Sequence, residues 1–334
     1  MRLLSRRKVL LYLGGSGIGF TVPFLLSCQS SQRKMLGQEA QPVNFLEEIS
    51  DLKQVAPQKD SNQYQPPTPE ELRQFQRLAQ AFLALNLDAV PRLGAAIGYK
   101  LVRWRDRATQ TTILGLVEPL NQQGSTRGWG SYFLNPSANN HQFIEAPHIL
   151  FDRFTPEIAS QVFLLSGARG FFMAGAHRNA NGIGTADVCD PIGSMFQVVH
   201  ERANTAQSTT WQFHGFSDPV EKGFPQLTQV VLSSGTGNVS PVILELRSLL
   251  IESSYTTYVY NELPLDHPLN QKLNGTVAGE TFSPLAGTQN VQGIYSRRIQ
   301  ASFVHIELES QVRVSTDNRK NISQVIAAAI ESNV

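Results

Sequence analysis

From Thr68 onward, short apolar runs alternate with stretches of helical spacing, and this alternation narrows the available folds more than any other feature. A chain patterned this way buries a sheet beneath helices, so it predicts an α/β layered domain with a mixed sheet flanked by helices. Thr68-Pro69-Glu70-Glu71 is a capping box with proline at the first helical position, and predicts a helix to about Leu85. Tyr99 to Trp104 and Thr111 to Val117 alternate apolar and polar residues around a charged turn, as a hairpin does. Trp129 to Leu134 and Gln142 to Ala146 read as a second strand pair around an Asn/Pro-rich turn. Further strands are expected at 170–174, 210–213, 229–233, 256–260 and 303–308. Helices are expected at 156–165, 192–203, 241–252 and 322–331.

The N-terminal end has a different character. Ser5-Arg6-Arg7-Lys8 precedes an apolar run from Val9 to Leu26 that is interrupted by Gly14, Gly15, Gly17, Gly19 and Pro23. A charged start and a run of about 18 glycine-weakened residues, the lower limit for a membrane-spanning helix, predict an export signal rather than a span. Arg6 and Arg7 resemble the twin-arginine signal, which implies receptor-read export of folded cargo. Leu25-Leu26-Ser27-Cys28 resembles a lipobox. That resemblance implies acylation of Cys28 and anchorage in a lipid bilayer, each buried methylene contributing about 0.8 kcal/mol. The expected location is the periplasmic or extracellular face of a bacterial envelope membrane. Residues 29–67 are rich in Gln, Ser, Pro and Lys and predict a disordered tether. The division is thus 1–28 signal, 29–67 tether and 68–334 a single domain.

Charge and cysteine content exclude several classes. Net charge is +1, basic residues are scattered, and no basic run lies beside an aromatic platform, so nucleic acid is not expected as a partner. Cys28 and Cys189 are the two cysteines. With Cys28 acylated, Cys189 has no partner and no structural disulfide is expected.

Chemistry-bearing residues collect at predicted strand ends, where open α/β sheets bind ligands. Glu145-Ala146-Pro147-His148 leads on to Asp152; Ala176-His177-Arg178-Asn179 follows a strand; Gln212-Phe213-His214-Gly215 ends one; Val304-His305-Ile306-Glu307 lies within one. Singly, each has a plain explanation. A strand-end histidine is commonly a hydrogen-bonded scaffold residue, Glu307 could pair with Arg313, and Asp152 could cap the next helix. Arg178 fits either a substrate carboxylate or a buried ion pair. The loop holding Asp187, Cys189 and Asp190 reads as a helix-leading turn rather than a second metal site, and His200 as a core or surface histidine within a helix. Together, His148, Asp152, His214 and Glu307 supply the donors and the carboxylate base that a hydrolytic zinc site needs. His148 and Asp152 converge if the chain turns after the strand, whereas Glu145 reaches the same point only if Pro147 bends it.

Pro147-His148, His214 and His305-Ile306-Glu307-Leu308 resemble the zinc amidohydrolases and peptidases of the carboxypeptidase-like fold, particularly relatives of N-formylglutamate amidohydrolase. The resemblance spans about Phe143 to Arg313 as a pattern. It implies a carboxypeptidase/phosphorylase-hydrolase-like sheet, and one zinc ion held by His148, Asp152 and His214, with Glu145 as substitute ligand. It further implies Glu307 as base, and Arg178 with His177 orienting a small peptide or amide substrate. Asp152 falls four residues after His148 where carboxypeptidases place the acid at three, and the Asp-Cys-His-Ser motif of typical N-formylglutamate enzymes is absent. The contrasting expectation is a non-catalytic envelope lipoprotein that binds a peptide or cell-wall component in the same cleft.

Overall fold

The structure, a computed structural model, describes residues 39–191, 193–262 and 285–333. Arg6, Arg7 and Cys28, on which the export and lipidation expectations rest, lie outside the described residues. Among the described residues, no helix is long and apolar enough to cross a membrane.

A mixed sheet of 10 strands forms the centre. In chain order these are β1 (Gln41–Val43), β2 (Lys100–Asp106), β3 (Thr112–Val117), β4 (Ser131–Leu134) and β5 (Gln142–Ala146), then β6 (Gly170–Met173), β7 (Thr209–Phe216), β8 (Val230–Ser233), β9 (Thr257–Val259) and β10 (Ser302–Glu309). Across the sheet they run β1-β2-β3-β4-β6-β5-β7-β10-β8-β9. The middle four, β6-β5-β7-β10, are parallel to one another, while β4 and β8 flank them antiparallel. β4, β5, β6 and β8 are buried at every position, as expected of strands covered on both faces.

Helices α1 (Phe45–Gln54), α2 (Pro69–Leu83), α3 (Val90–Ala96), α4 (Thr155–Ser166), α5 (Met195–Ala203), α6 (Pro241–Glu252), α7 (Val291–Arg298), α8 (Ser310–Val314) and α9 (Thr316–Glu331), with a short 3-10 turn at Val220–Lys222, complete the described elements. The capping box forms as expected: Thr68 Oγ1 accepts from the Glu71 N–H, and the Glu71 carboxylate accepts from the Thr68 N–H. The first hairpin forms too, with Lys100 opposite Val117 and Trp104 opposite Ile113.

Two expectations need correction. β4 and β5 are not partners, because β6 lies between them, antiparallel to β4 and parallel to β5. The Asn/Pro-rich segment that joins β4 to β5 is therefore a crossing connection, not a hairpin turn. The tether does not extend to residue 67 either, since the compact unit begins at Glu39. β1 pairs with β2, and the Phe45 N–H donates to Asp106 Oδ1 at 3.1 Å. The Phe45 ring is fully buried against Trp104, Phe133, Phe163 and Phe171, with centroids 5.1–6.4 Å away. A segment with few apolar residues is anchored here chiefly by one aromatic placed in a pocket of four others, with Val43, Ile49 and Tyr64 also buried.

Candidate metal centre

His148 follows β5 by two residues, His214 lies near the end of β7, and Glu307 lies in β10. β7 and β10 pair in parallel with His214 opposite Glu307, and β5 borders β7 on its other side. The three side chains thus come from three neighbouring strands, at or just beyond their C-terminal ends, where open α/β sheets bind ligands. After His148 the chain makes a helical turn, with the Asp152 N–H donating to the His148 carbonyl at 2.8 Å. That turn brings Asp152 back beside its own histidine.

The result is a small triangle of donor atoms. His148 Nδ1 lies 3.0 Å from Asp152 Oδ2, His214 Nδ1 lies 3.4 Å from the same oxygen, and the two Nδ1 atoms are 3.2 Å apart. All three residues are buried. A tetrahedral zinc ion with bonds of 2.0–2.1 Å separates its ligand atoms by about 3.3 Å, so the triangle has the right size.

The outer nitrogens decide which atoms can act as donors. His148 Nε2–H donates to Asp187 Oδ1 at 2.9 Å, and His214 Nε2–H donates to Gln212 Oε1 at 2.7 Å. Gln212 cannot turn its amide round, because its Nε2 donates to the Glu145 carboxylate at 2.8 Å. In the neutral rings both Nδ1 lone pairs therefore point at each other and at the Asp152 oxygen. Three acceptors converging without a proton between them require a cation, which is how orienting partners prepare histidines for a metal. Without a metal, protons take that place. Burial alone would lower the pKa of both rings, but the acidic groups around them overrule it. His148 is raised well above its usual value by Cys189, Asp152 and Asp187, and His214 is pushed up to about 9. Burial acts on Asp152 in the opposite sense, yet the two histidines hold its carboxyl well below the usual range.

Glu307 borders the triangle and shares a cavity of about 360 Å³ with His148, Asp152, His214 and Arg178. Burial pushes its carboxyl up to about 7, which the nearby histidines only partly oppose, and Oε2 has no hydrogen-bond partner. Arg313 does not pair with it. That guanidinium donates instead to the carbonyls of Leu308, Arg153 and Phe216, and lies where any side chain at Gly215 would fall. Gly215, directly after His214, is thus required by close approach rather than by backbone angle.

The other expected residues divide. Arg178 lines the cavity, but its guanidinium pairs with Asp187 and lies 5.1 Å over the Phe151 ring, which is the ion-pair arrangement. His177 does not join the cluster: its Nδ1 accepts from the Asn179 N–H at 3.0 Å and its ring packs edge-on to Phe151. Glu145 is not placed as a substitute ligand. Its two oxygens are taken by His200 Nδ1 and Gln212 Nε2, both at 2.8 Å, in a fully buried network. Pro147 does not bend the chain enough to bring it round, and Glu145 acts instead by fixing Gln212. Asp187, expected in a helix-leading turn, holds His148, and Gln212, for which no role was expected, holds His214. His305 had no expected role either. The His305 ring stacks on His214 at 4.4 Å and lies on the same strand face as Glu307, its Nε2 4.0 Å from Oε1. The spacing of two between His305 and Glu307 was the available signal.

No protein-family model matches the chain, and no curated protein does. Among solved structures, a bacteriophage poly-gamma-glutamate hydrolase matches at 14% identity over 58% of this chain and 83% of its own, with a TM-score of 0.33. A carboxypeptidase candidate from Burkholderia mallei matches at 10% identity over 81% and 69%, with a TM-score of 0.34. A metallopeptidase candidate from Shewanella denitrificans matches at 9% identity over 75% and 90%, with a TM-score of 0.32. These likenesses are distant, and the chemistry of the site stands on its own geometry.

Proposed function

We propose that this protein is a zinc-dependent hydrolase of amide or peptide bonds, exported and held at an envelope membrane by a lipid on Cys28. The observation that carries the catalytic part is the triangle of His148 Nδ1, His214 Nδ1 and Asp152 Oδ2, each histidine having its other nitrogen already committed. Two nitrogens and one oxygen are a common donor set for hydrolytic zinc, and they leave one tetrahedral position for water or substrate. Zinc held there supplies Lewis acidity and lowers the pKa of water.

The chain's own groups do the rest. Asp187 and Gln212 hold the imidazoles in the tautomer that presents Nδ1. Glu307, whose carboxyl titrates near 7 because it is buried, is matched to taking a proton from attacking water at neutral pH and giving it to a leaving nitrogen. Arg178, partly exposed and anchored by Asp187, presents positive charge at the cavity wall, where it favours a substrate with a carboxylate. Export by the twin-arginine route and acylation are supported by Arg6-Arg7 and by Leu25-Leu26-Ser27-Cys28.

Metal titration tests this reading. The metal-free protein should bind one zinc per chain and release protons on binding, because the cation displaces those held between the histidines. Affinity should fall as pH is lowered. His148→Ala and His214→Ala should each lose most of the metal, whereas Glu307→Gln should keep it and lower turnover of a susceptible amide by about 10² to 10⁴. A wild-type protein that takes up no zinc would sink the proposal. Zinc binding without turnover on a panel of N-acyl amino acids and short peptides would favour a binding lipoprotein using the same cleft.

A further inference from the structure

Two arginines and a lysine line the cavity that holds Glu307, and one of the three is paired with an acid: Arg178, on Asp187. Among the described residues, neither Arg313 nor Lys222 makes an ion pair. Arg313 is buried, and a buried guanidinium is ordinarily matched by a carboxylate. Here each of its three nitrogens donates to a carbonyl instead, of Leu308, Arg153 and Phe216. A guanidinium carries five N–H groups, so one on each Nη is left without an acceptor among the described residues. Asp152, Glu307 and Glu309 act on this charge through space but do not come within ion-pair distance. Asp152 is taken up by the histidines, and Glu309 by the Gln311 N–H and the Ser310 hydroxyl. Lys222 is half-buried at the end of its 3-10 turn, and its ammonium makes no hydrogen bond among the described residues.

The topology separates these cations from Arg178. Across the sheet the parallel strands run β6-β5-β7-β10. Arg178 follows β6 and Arg313 follows β10, whereas His148 follows β5 and His214 lies in β7, between them. Lys222 belongs to the connection from β7 to β8, which must cross the end of β10 because β10 lies between those two strands. The donor triangle is thus flanked by positive charge on both sides. β6 and β10 stand three strands apart, about 14 Å at the usual spacing.

We infer that Lys222 and Arg313 hold a second anionic group of the substrate, so that the cavity takes an amide with a carboxylate on each side of the bond to be cut. The inference rests on the hydrolase reading above and narrows it from amides in general to dianionic ones. Arg178 meets one carboxylate. Lys222 and the two remaining N–H groups of Arg313 meet the other, a point charge beside a planar fork. A neutral or cationic group in that place would leave the buried Arg313 charge unmatched, which turns such substrates away. Lys222 therefore sets specificity at the far end of the substrate and takes no part in breaking the bond.

Binding to the metal-free full chain tests this without calling on catalysis. N-succinyl-alanine carries a carboxylate on each side of its amide; N-butanoyl-alanine lacks the one on the acyl side, and N-succinyl-alaninamide lacks the other. In calorimetric titrations at low salt the dianion should bind about 10-fold or more tighter than either monoanion. Lys222→Gln should weaken the dianion and one monoanion by about 10-fold and leave the second monoanion unchanged, because that one has no group facing Lys222. Arg178→Gln should give the opposite pattern. Arg313 holds three carbonyls in place, so its removal endangers the fold, and Lys222 carries the test. Equal affinities for the three probes, no binding of the dianion at millimolar concentration, or a Lys222→Gln effect equal on all three would overturn the inference and leave the zinc titration untouched. A failed zinc titration beside the expected pattern would remove the hydrolase reading and leave the anion subsite standing.

Discussion

Glu307 is placed where a carboxylate is uncomfortable and useful at once. It is buried in a parallel strand, one oxygen lacks a hydrogen-bond partner, and its carboxyl is pushed up to about 7 from an ordinary 4.5. Below pH 4.5 it is protonated in both folded and unfolded chains, so its burial costs little. As pH rises from 4.5 to about 7 the unfolded chain ionises first, and the folded state loses stability relative to it, by a constant amount above that window. A separation of 7 − 4.5 = 2.5 corresponds to about 3 kcal/mol. In metal-free protein, Glu307→Gln should therefore raise stability at pH 8 by up to that amount and change it little at pH 4, as read by urea denaturation at the two pH values. A difference that did not vary with pH would contradict this account. The histidines and acids of the centre were visible in the sequence as polar residues at strand ends, and the turn from His148 to Asp152 followed from their spacing. Which atoms would face one another was not. Asp187 acts on His148 from 39 positions away, which no local pattern marks, and Gln212, two residues before His214 on the same strand face, is aimed by its bond to the distant Glu145.

The strands and the longer helices from Thr68 onward were legible because their signals are local: a capping box opens α2, and alternation around a charged turn makes β2 and β3 a hairpin. The short helices α3, α7 and α8 were not read. Pairing between strands distant in the chain was not legible. β6 enters between β4 and β5 because their joining segment crosses rather than turns, and the residues of that segment suit either course. β1 and α1 were hidden for another reason, since their composition is that of a tether and few residues, Phe45 foremost, attach them. Phe45→Ala should cost about 3–5 kcal/mol, the usual result of removing a buried aromatic ring. A shift in the urea midpoint with unchanged slope would show it. If residues 39–67 were a tether, the change would stay within about 0.5 kcal/mol, as for an ordinary surface position.

At the scale of the whole molecule, the proposed centre and the proposed export route constrain each other. A twin-arginine carrier moves folded protein, so a metal can be loaded before the membrane is crossed. Arg6→Lys with Arg7→Lys should hold the precursor in the cytoplasm, because the receptor reads guanidinium groups, and fractionation of cells would show this. Export of the double variant at the normal rate would point to the general secretory route. Cys28→Ala should leave the chain uncleaved or free of the membrane, and wild type should take up labelled fatty acid. The order of strands bears on timing as well. β10 is the last strand to be synthesised, yet it lies inside the sheet, between β7 and β8. Until residue 309 has cleared the ribosome, β7 and β8 each present a bare edge with no strand to join them, the kind of surface on which chains stick to one another. The same late strand delivers Glu307. A nascent chain can thus assemble the histidines and Asp152 while it still lacks the proposed base, and any proteolytic loss of the C-terminal segment would leave both the proposed centre incomplete and the sheet open.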